Sequence, residues 1–356
     1  VQPCALPIFP PSAGFYFPAD VQPSGAGAIV SMVHQTGGFS SPKHLLAQRF
    51  DGAGAPQWGA SPLAIFNGGS LQFGNFPDFL PDGAGGAVFA WYSAGPSLQC
   101  YAQRVDASGA ELWPHNGVAL ASNGSQIRVT PHAAFDAASG ETFVFWTELN
   151  SSQSQRGVSG QRLDAAGNRL WGATGATVVP LGANDQQMTR ALAGGSTGGA
   201  WVVWSDAPSF GQEQLRKAHV DAAGSVDLGP SPLAAQPSGK SRLAVVKPLT
   251  GGSVGFCVWK DDRVDGGDLY GQNLTPDGGL GNPVGTQQCG PGVLNSTGLP
   301  SALAGTGTLS VGSNDLVLRA THLPTGQFAY ALASQTPGFV ATPPGSQGNQ
   351  IGRAHV

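Results

Sequence analysis

The chain has 356 residues, room for two or three domains, and 40% of them are hydrophobic, with eight Trp and seventeen Phe. Only 11% are charged, the formal net charge is −4 and Lys and Arg form no cluster, which argues against nucleic acid and anionic membranes as partners. No apolar run reaches the length of a membrane-spanning helix. Many of the 54 Gly and 28 Pro punctuate short apolar runs, and no window holds a three-and-four apolar spacing, so the pattern predicts all-β structure with many tight turns.

In chain order, the first residues are not expected to belong to the fold. Cys4–Ile8, "CALPI", back-translates as TGT GCT CTT CCG ATC, the reverse complement of a common short-read sequencing adapter. At the other end Ile351–Val356, "IGRAHV", reads as ATC GGA AGA GCA CAC GTC, the body of the same adapter. Residues 1–8 and 351–356 are therefore set aside as adapter-derived, and the natural protein is expected to extend past both ends, a signal peptide included. That leaves Cys100, Cys257 and Cys289, an odd number.

From residue 9 to residue 285 the sequence repeats itself. "LAQRFDGAGAPQW" (Leu46–Trp58), "YAQRVDASGAELW" (Tyr101–Trp113) and "SGQRLDAAGNRLW" (Ser159–Trp171) are one unit, with worn copies at Arg216–Leu228 and Tyr270–Asn282. Their Asp51, Asp106, Asp164 and Asp221 stand 55, 58 and 57 residues apart. A second shared segment lies upstream of each copy and ends at Met32, Trp91, Trp146, Trp204 and Trp259. Each period resolves into four strands: one before a Gly-rich turn, the Trp-ending strand, the Arg-Asp strand, and a last strand begun by "AELW" and continued by "GVALA". A four-stranded meander at this period predicts β-propeller blades, of which at least five are visible.

These blades resemble a group of exported bacterial repeat proteins that read roughly "GGAIVAWED.R…DIYAQRVDASGN.LW..NGV". The match is best kept in "VWKDDRVDGGDLYGQ" (Val258–Gln272), "YAQRVDASG" and "NGVALA" (Asn116–Ala121), and spans about three quarters of the chain. The resemblance, with a surface poor in charge and rich in Ser, Thr, Asn, Gln and Gly, implies an extracellular or cell-surface protein. Residues 286–350 have no echo of the repeat. Their "NSTG", "NDLVLRATHLP", "QFAY" and "PPGSQGN" look like a C-terminal β module of large exported proteins, and the alternation in "TLSV" and "LVLRAT" suggests a small β-sandwich. In that family a Cys precedes "NSTG" and another follows "GSQGN", which implies that Cys289 has lost its disulfide partner to truncation.

Chemistry has little to rest on. All eight Trp occupy positions that the repeat fills in every blade, which is the pattern of packing rather than of a sugar platform. Arg and Asp in Arg49/Asp51, Arg104/Asp106 and Arg162/Asp164 are two apart, so they share a strand face and are expected to pair near water, worth about 0–1 kcal/mol each. Glu141, Glu148, Asp185, Asp206, Glu213 and Asp227 are scattered and show no paired-carboxylate pattern. Asp261, Asp265 and Asp268 lack the spacing of a calcium loop, and an Asp/Arg-stitched loop is expected there instead. The seven His have no zinc spacing. No catalytic, cofactor-binding or metal-binding residue is nominated.

The function expected is a non-catalytic, exported or surface β-propeller that binds a ligand, glycan or protein, or serves as a scaffold. Specificity is expected in inter-strand loops such as "SAGPSLQ" and "ELNSSQSQRG". The alternative is a carbohydrate-active enzyme, a glycosidase or lyase, with carboxylates from several blades at the channel mouth. No cofactor is expected, and the partners would be a glycan or a surface protein.

Overall fold

The computed structural model describes residues 14–95, 97–195, 197–246, 253–281, 283–284, 294–296, 298, 301–307, 316–324, 326, 338–340 and 350–352. The described chain is all-β, with five successive antiparallel sheets in a β-propeller arrangement. Blade 1 comprises β1 (Phe15–Ser24), β2 (Gly27–Gln35), β3 (Lys43–Phe50) and β4 (Leu63–Phe66), in that spatial order. In blade 2, β5 (Ser70–Leu71) and β6 (Phe79–Pro81) both pair with β7 (Ala87–Ala94), followed by β8 (Gln99–Val105) and β9 (Val118–Ala119). Blade 3 is β10 (Ile127–Asp136), β11 (Glu141–Leu149), β12 (Arg156–Leu163) and β13 (Ala176–Gly182). Blade 4 is β14 (Asp185–Ala193), β15 (Ala200–Ala207), β16 (Glu213–Val220) and β17 (Val226–Ser238). The fifth sheet has three strands, β18 (Lys240–Val246), β19 (Gly255–Asp261) and β20 (Asp268–Leu274).

The chain divides into two compact units, one of Val1–Ala193, Gly199–Val245 and Val258–Tyr270, the other of Gly194–Gly198, Val246–Cys257 and Gly271–Val356. In the second, β21 (Pro283–Val284), β22 (Ala302–Thr306) and β23 (Val317–Thr321) form one antiparallel sheet, and β24 (Gly338–Val340) pairs with β25 (Gln350–Gly352). Cys4 and Cys289 lie outside the described residues, as do residues 1–8 and 353–356.

In the first unit the core lies between successive blades. In blades 2 to 4 the Trp-ending strand is apolar on both faces because each face meets a neighbouring sheet. Ile29 and Val33 of blade 1 pack with Phe79, Phe89 and Trp91 of blade 2. Val88 and Trp113 of blade 2 meet Val144 and Trp146 of blade 3, while Phe143, Phe145 and Trp171 of blade 3 meet Val202 and Trp204 of blade 4. All eight Trp are buried. Fully burying a large side chain contributes roughly 1.5–3 kcal/mol, so these aromatics supply much of the hold between blades.

The repeated Gln-Arg-x-Asp…Gly…Trp unit forms a clip. Gln48 Oε1 accepts from Arg49 N at 3.0 Å and from Trp58 N at 2.9 Å, and Gln161 does the same for Arg162 and Trp171 at 3.1 and 2.9 Å. That fixes the Trp so that its indole N–H reaches the next blade: Trp58 donates to Ala107 O at 3.2 Å, Trp113 to Ala165 O at 3.1 Å and Trp171 to Ala222 O at 3.3 Å. The indoles also lie over Gly109, Gly167 and Gly224 of the following blades. The predicted strand begun by "AELW" is only a single bridge, Val105 to Glu111, repeated as Phe50 to Pro56 and Leu163 to Arg169. The fourth strand lies beyond the Trp, because the Gln-held clip keeps the chain off the sheet until the indole is seated.

Candidate functional site

The Arg and Asp of the repeat do not pair with each other as expected. Asp51, Asp106 and Asp164 turn the chain: Asp106 Oδ1 accepts from Ser108 N at 2.8 Å and Ala110 N at 3.0 Å. The Ser108 hydroxyl holds the Asp106 carboxyl below its ordinary range, and the Asn168 side chain does the same for Asp164. Arg49 instead donates to Ala107 O of blade 2 at 3.1 Å, Arg104 lies 3.5 Å from Asp82 and over the Phe135 ring, and Arg162 pairs with Glu141. With its turn N–H groups already filling the Asp, each Arg is left to bridge outward.

The scattered acids do not converge. Glu148 pairs with Arg128 at 3.0 Å, Asp185 with Arg156 at 2.8 Å, Asp206 with Arg216 at 3.4 Å and Asp227 with His219, while Glu213 Oε1 accepts from Gly211 N at 3.1 Å. Asp261 is the buried centre of the expected Asp/Arg loop, bonded to Arg263, Ser238, Trp259 and Lys240. These hydrogen bonds outweigh burial and hold its carboxyl far below the ordinary range. Asp265 Oδ1 accepts from Gly267 N at 3.2 Å, Asp268 is exposed, and no carboxylate–imidazole–thiol group fit for a metal occurs among the described residues. Cys100 and Cys257 are buried, and burial raises both thiols, that of Cys257 to about 12.

Two places break the repeat. The first is the row of innermost strands. Register shifts occur between Pro18 and Asp20, Val129 and His132, and Gln187 and Arg190, with Thr130 and Met188 at φ of 49° and 52°. A bulge re-aims the side chain that follows it. Here it presents Asp20, His132 and Arg190 in the inner strands of blades 1, 3 and 4, with Asp78 just ahead of β6 of blade 2. Asp20 Oδ2 accepts from Phe79 N at 3.3 Å, and Oδ1 from Val21 N at 2.8 Å. His132 Nδ1 accepts from Ala191 N at 3.1 Å, so the ring proton sits on Nε2, 3.5 Å from Asp78 Oδ2. Burial pulls the imidazole down to about 4, with Asp78 opposing and Arg190 adding to the shift. Asp20 is thus spent on blade 2 and His132 on blade 4, where inner strands meet without a ladder, while Arg190 donates to Thr189 O of its own strand at 2.9 Å. The gap between Asp78 and His132 is about 30 Å³, room for a water and little else.

The second place is a cleft of about 510 Å³ at one end of blades 1 and 2. Phe15 and Phe17 stand two apart on one face of β1, and Val33 and Gln35 come from β2. The β2–β3 turn is closed by Thr36 N to Pro42 O at 3.0 Å and Ser41 N to Gly38 O at 2.9 Å, which carries Phe39 to its tip. Across the cleft, Asn75 N bonds Gln72 O at 3.0 Å and Asn75 Nδ2 bonds Tyr92 O at 3.2 Å, fixing a turn with Gly74 at φ 76° and placing Phe73 and Phe76 at the rim. The five Phe are 40–74% exposed. Phe39 and Phe73 are 4.9 Å apart between centroids, and Phe17 meets Phe76 edge-on at 6.3 Å. Among the described residues of the lining Lys43 is the one that is charged, with Nζ 5.9 and 5.5 Å from the Phe39 and Phe73 rings. A contiguous exposed apolar patch of this kind is a candidate interaction site.

Neither the inner-strand row nor the cleft was among the residues that the sequence nominated. The cleft does use the expected kind of loop, the β2–β3 connection, but that of blade 1 rather than "SAGPSLQ" or "ELNSSQSQRG" of blades 2 and 3. A repeat alignment carries a signal for both. Asp20, Asp78 and His132 each lie one or two residues after Pro18, Pro77 and Pro131, and Phe39 stands in a turn whose counterpart in blade 3 is "NSSQSQ".

No protein-family model matches the sequence, and no curated protein matches it. Among solved structures the chain is similar to a protein of unknown function from Dyadobacter fermentans DSM 18053, with 10% identity, TM-score 0.46, and coverage of 74% of this chain and 79% of that one. It is also similar to a thermostable family-43 glycoside hydrolase (12% identity, TM-score 0.41, 79% and 98% covered). A third likeness is to an endo-arabinase from Bacteroides thetaiotaomicron VPI-5482 (11% identity, TM-score 0.40, 74% and 94% covered). At these identities and scores no residue role passes from those proteins to this one.

Proposed function

We propose that this β-propeller is a non-catalytic binding protein of the bacterial cell exterior, holding its ligand in the aromatic cleft of blades 1 and 2. One observation carries the reading: five Phe are left 40–74% exposed around Lys43 in a cleft of about 510 Å³, while all eight Trp of the same chain are buried. The volume falls within the range of small-molecule sites. Exposing these rings forgoes roughly 1–2 kcal/mol of burial for each, a cost that a bound ligand offsets. The export assignment rests on the low charge content and on the resemblance of the blades to exported repeat proteins.

Against the alternative of a carbohydrate-active enzyme stands the state of the central carboxylates. A glycosidase needs one carboxylic acid to give a proton and a second carboxylate to act opposite it. Asp20 is engaged by two backbone N–H groups and Gln22, and Asp78 faces the His132 N–H. The test is thermal shift and calorimetric titration of the full chain against small-molecule and oligosaccharide panels, in wild type and in Phe39→Ser/Phe73→Ser. The expected result is a ligand that raises the wild-type melting temperature, and at least tenfold weaker binding in the double variant at unchanged fold. Turnover of an oligosaccharide that Asp78→Asn abolishes would contradict the proposal.

A further inference from the structure

The polar atoms around the cleft reveal which chemistry it suits. Gln35 Nε2 donates to Gly37 O and Gly38 O, both at 3.0 Å, so both of its N–H groups are used on the turn that carries Phe39. Asn75 Nδ2 is tied to Tyr92 O. Among the described residues, none of the lining bears a hydroxyl. A sugar ring entering here would remove several hydroxyls from water with few groups to receive them, and each unmet hydroxyl costs about 1–3 kcal/mol. Stacking on Phe faces does not offset that series of losses.

Lys43 is differently placed. Two of its three ammonium N–H groups go to Phe39 O at 3.1 Å and Ser41 O at 3.3 Å, both within the β2–β3 turn. Those bonds hold the ammonium over the Phe39 and Phe73 rings and leave a donor and a whole positive charge at an otherwise apolar wall. An anion there gains a charge-assisted hydrogen bond, and the apolar walls lower the local dielectric that would otherwise screen it.

We infer that the cleft takes an amphiphile with an apolar body and a terminal carboxylate, an alkyl or aryl alkanoate, rather than a polyhydroxylated sugar. The inference rests on the proposed reading of the cleft as a binding site, and names its ligand class. The apolar body lies against Phe15, Phe17, Phe73 and Phe76, and the carboxylate meets Lys43. An apolar side chain of a protein partner would fill the same walls without calling on the charge.

The experiment is calorimetric titration of the full chain with decanoate, with decanol as the uncharged equivalent and with maltohexaose, each below its aggregation limit. Wild type is expected to bind decanoate at least tenfold more tightly than decanol, with no heat from maltohexaose. Lys43→Met is expected to weaken decanoate about tenfold and to move decanol less than threefold, while Lys43→Arg keeps decanoate within threefold of wild type. Equal affinity for decanoate and decanol, indifference of decanoate to Lys43→Met, or tighter binding of maltohexaose would each overturn the ligand class while leaving a binding site. Absence of all binding, or decanoate binding unchanged in Phe39→Ser/Phe73→Ser, would overturn the site itself.

Discussion

At the scale of single residues, the repeat is held by the fit of an indole over a glycine. A Cβ built on Gly109 would stand 2.7 Å from Trp58 Cγ, and one on Gly167 would stand 2.8 Å from Trp113 Cγ. Both glycines also lie at positive φ, 84° and 83°. Gly54 occupies the same turn position in blade 1 at φ 83°, yet a Cβ there meets nothing within 4 Å. The pair separates backbone strain from packing. Gly54→Ala is expected to cost about 1 kcal/mol, from the conformation alone. Gly109→Ala is expected to cost about 1–3 kcal/mol more, because Trp58 must move off Ala107 O. Urea unfolding midpoints of the two variants check this, and equal losses would remove the clip from the account. These residues were readable in the sequence because blades 1 to 3 each state them in full: Gln, Asp, Gly and Trp recur at one spacing.

At the scale of elements, the inner strands show what repetition hides. They meet side by side without a ladder, so backbone groups such as Phe79 N and Ala191 N need acceptors from the neighbouring blade. Two strands answer with different side chains, Asp20 for Phe79 N and His132 for Ala191 N, with Asp78 facing the His132 ring. A change of chemistry at each blade leaves repeat comparison only the preceding Pro18, Pro77 and Pro131 to find. The β10 contribution is testable by pH. Burial brings His132 from 6.5 down to about 4 in the folded chain. As pH falls, the unfolded chain therefore takes up the proton first, so the stability owed to a neutral His132 is complete above pH 6.5 and is lost on the way down to 4. The loss is up to about 3 kcal/mol. His132→Asn, which keeps an acceptor for Ala191 N, is expected to flatten the pH dependence of the urea midpoint between 6.5 and 4. An unchanged slope would show that the imidazole is not held neutral. His44, also lowered by burial, stays in both proteins and cancels in the comparison.

At the scale of the whole molecule, the blades are a frame and, on the proposed reading, the irregular loops are the working part. The all-β class and the five-bladed arrangement were legible from the 56-residue period alone, since a sheet that is apolar on both faces must be covered by another such sheet. The cleft was not legible. Phe17 and Phe39 of blade 1 lie far in sequence from Phe76 and Phe73 of blade 2, and only the stacking of blade 2 on blade 1 brings each pair together. Residues of this kind read in sequence as ordinary core, and it is the fold that leaves them in water. The claim that binding occurs there, and not along the inner strands, is tested most directly by amide hydrogen exchange with and without saturating decanoate. Slowed exchange confined to residues 33–43 and 72–76 is the predicted result. Protection centred on residues 128–133 and 187–191, or none at all, would contradict it.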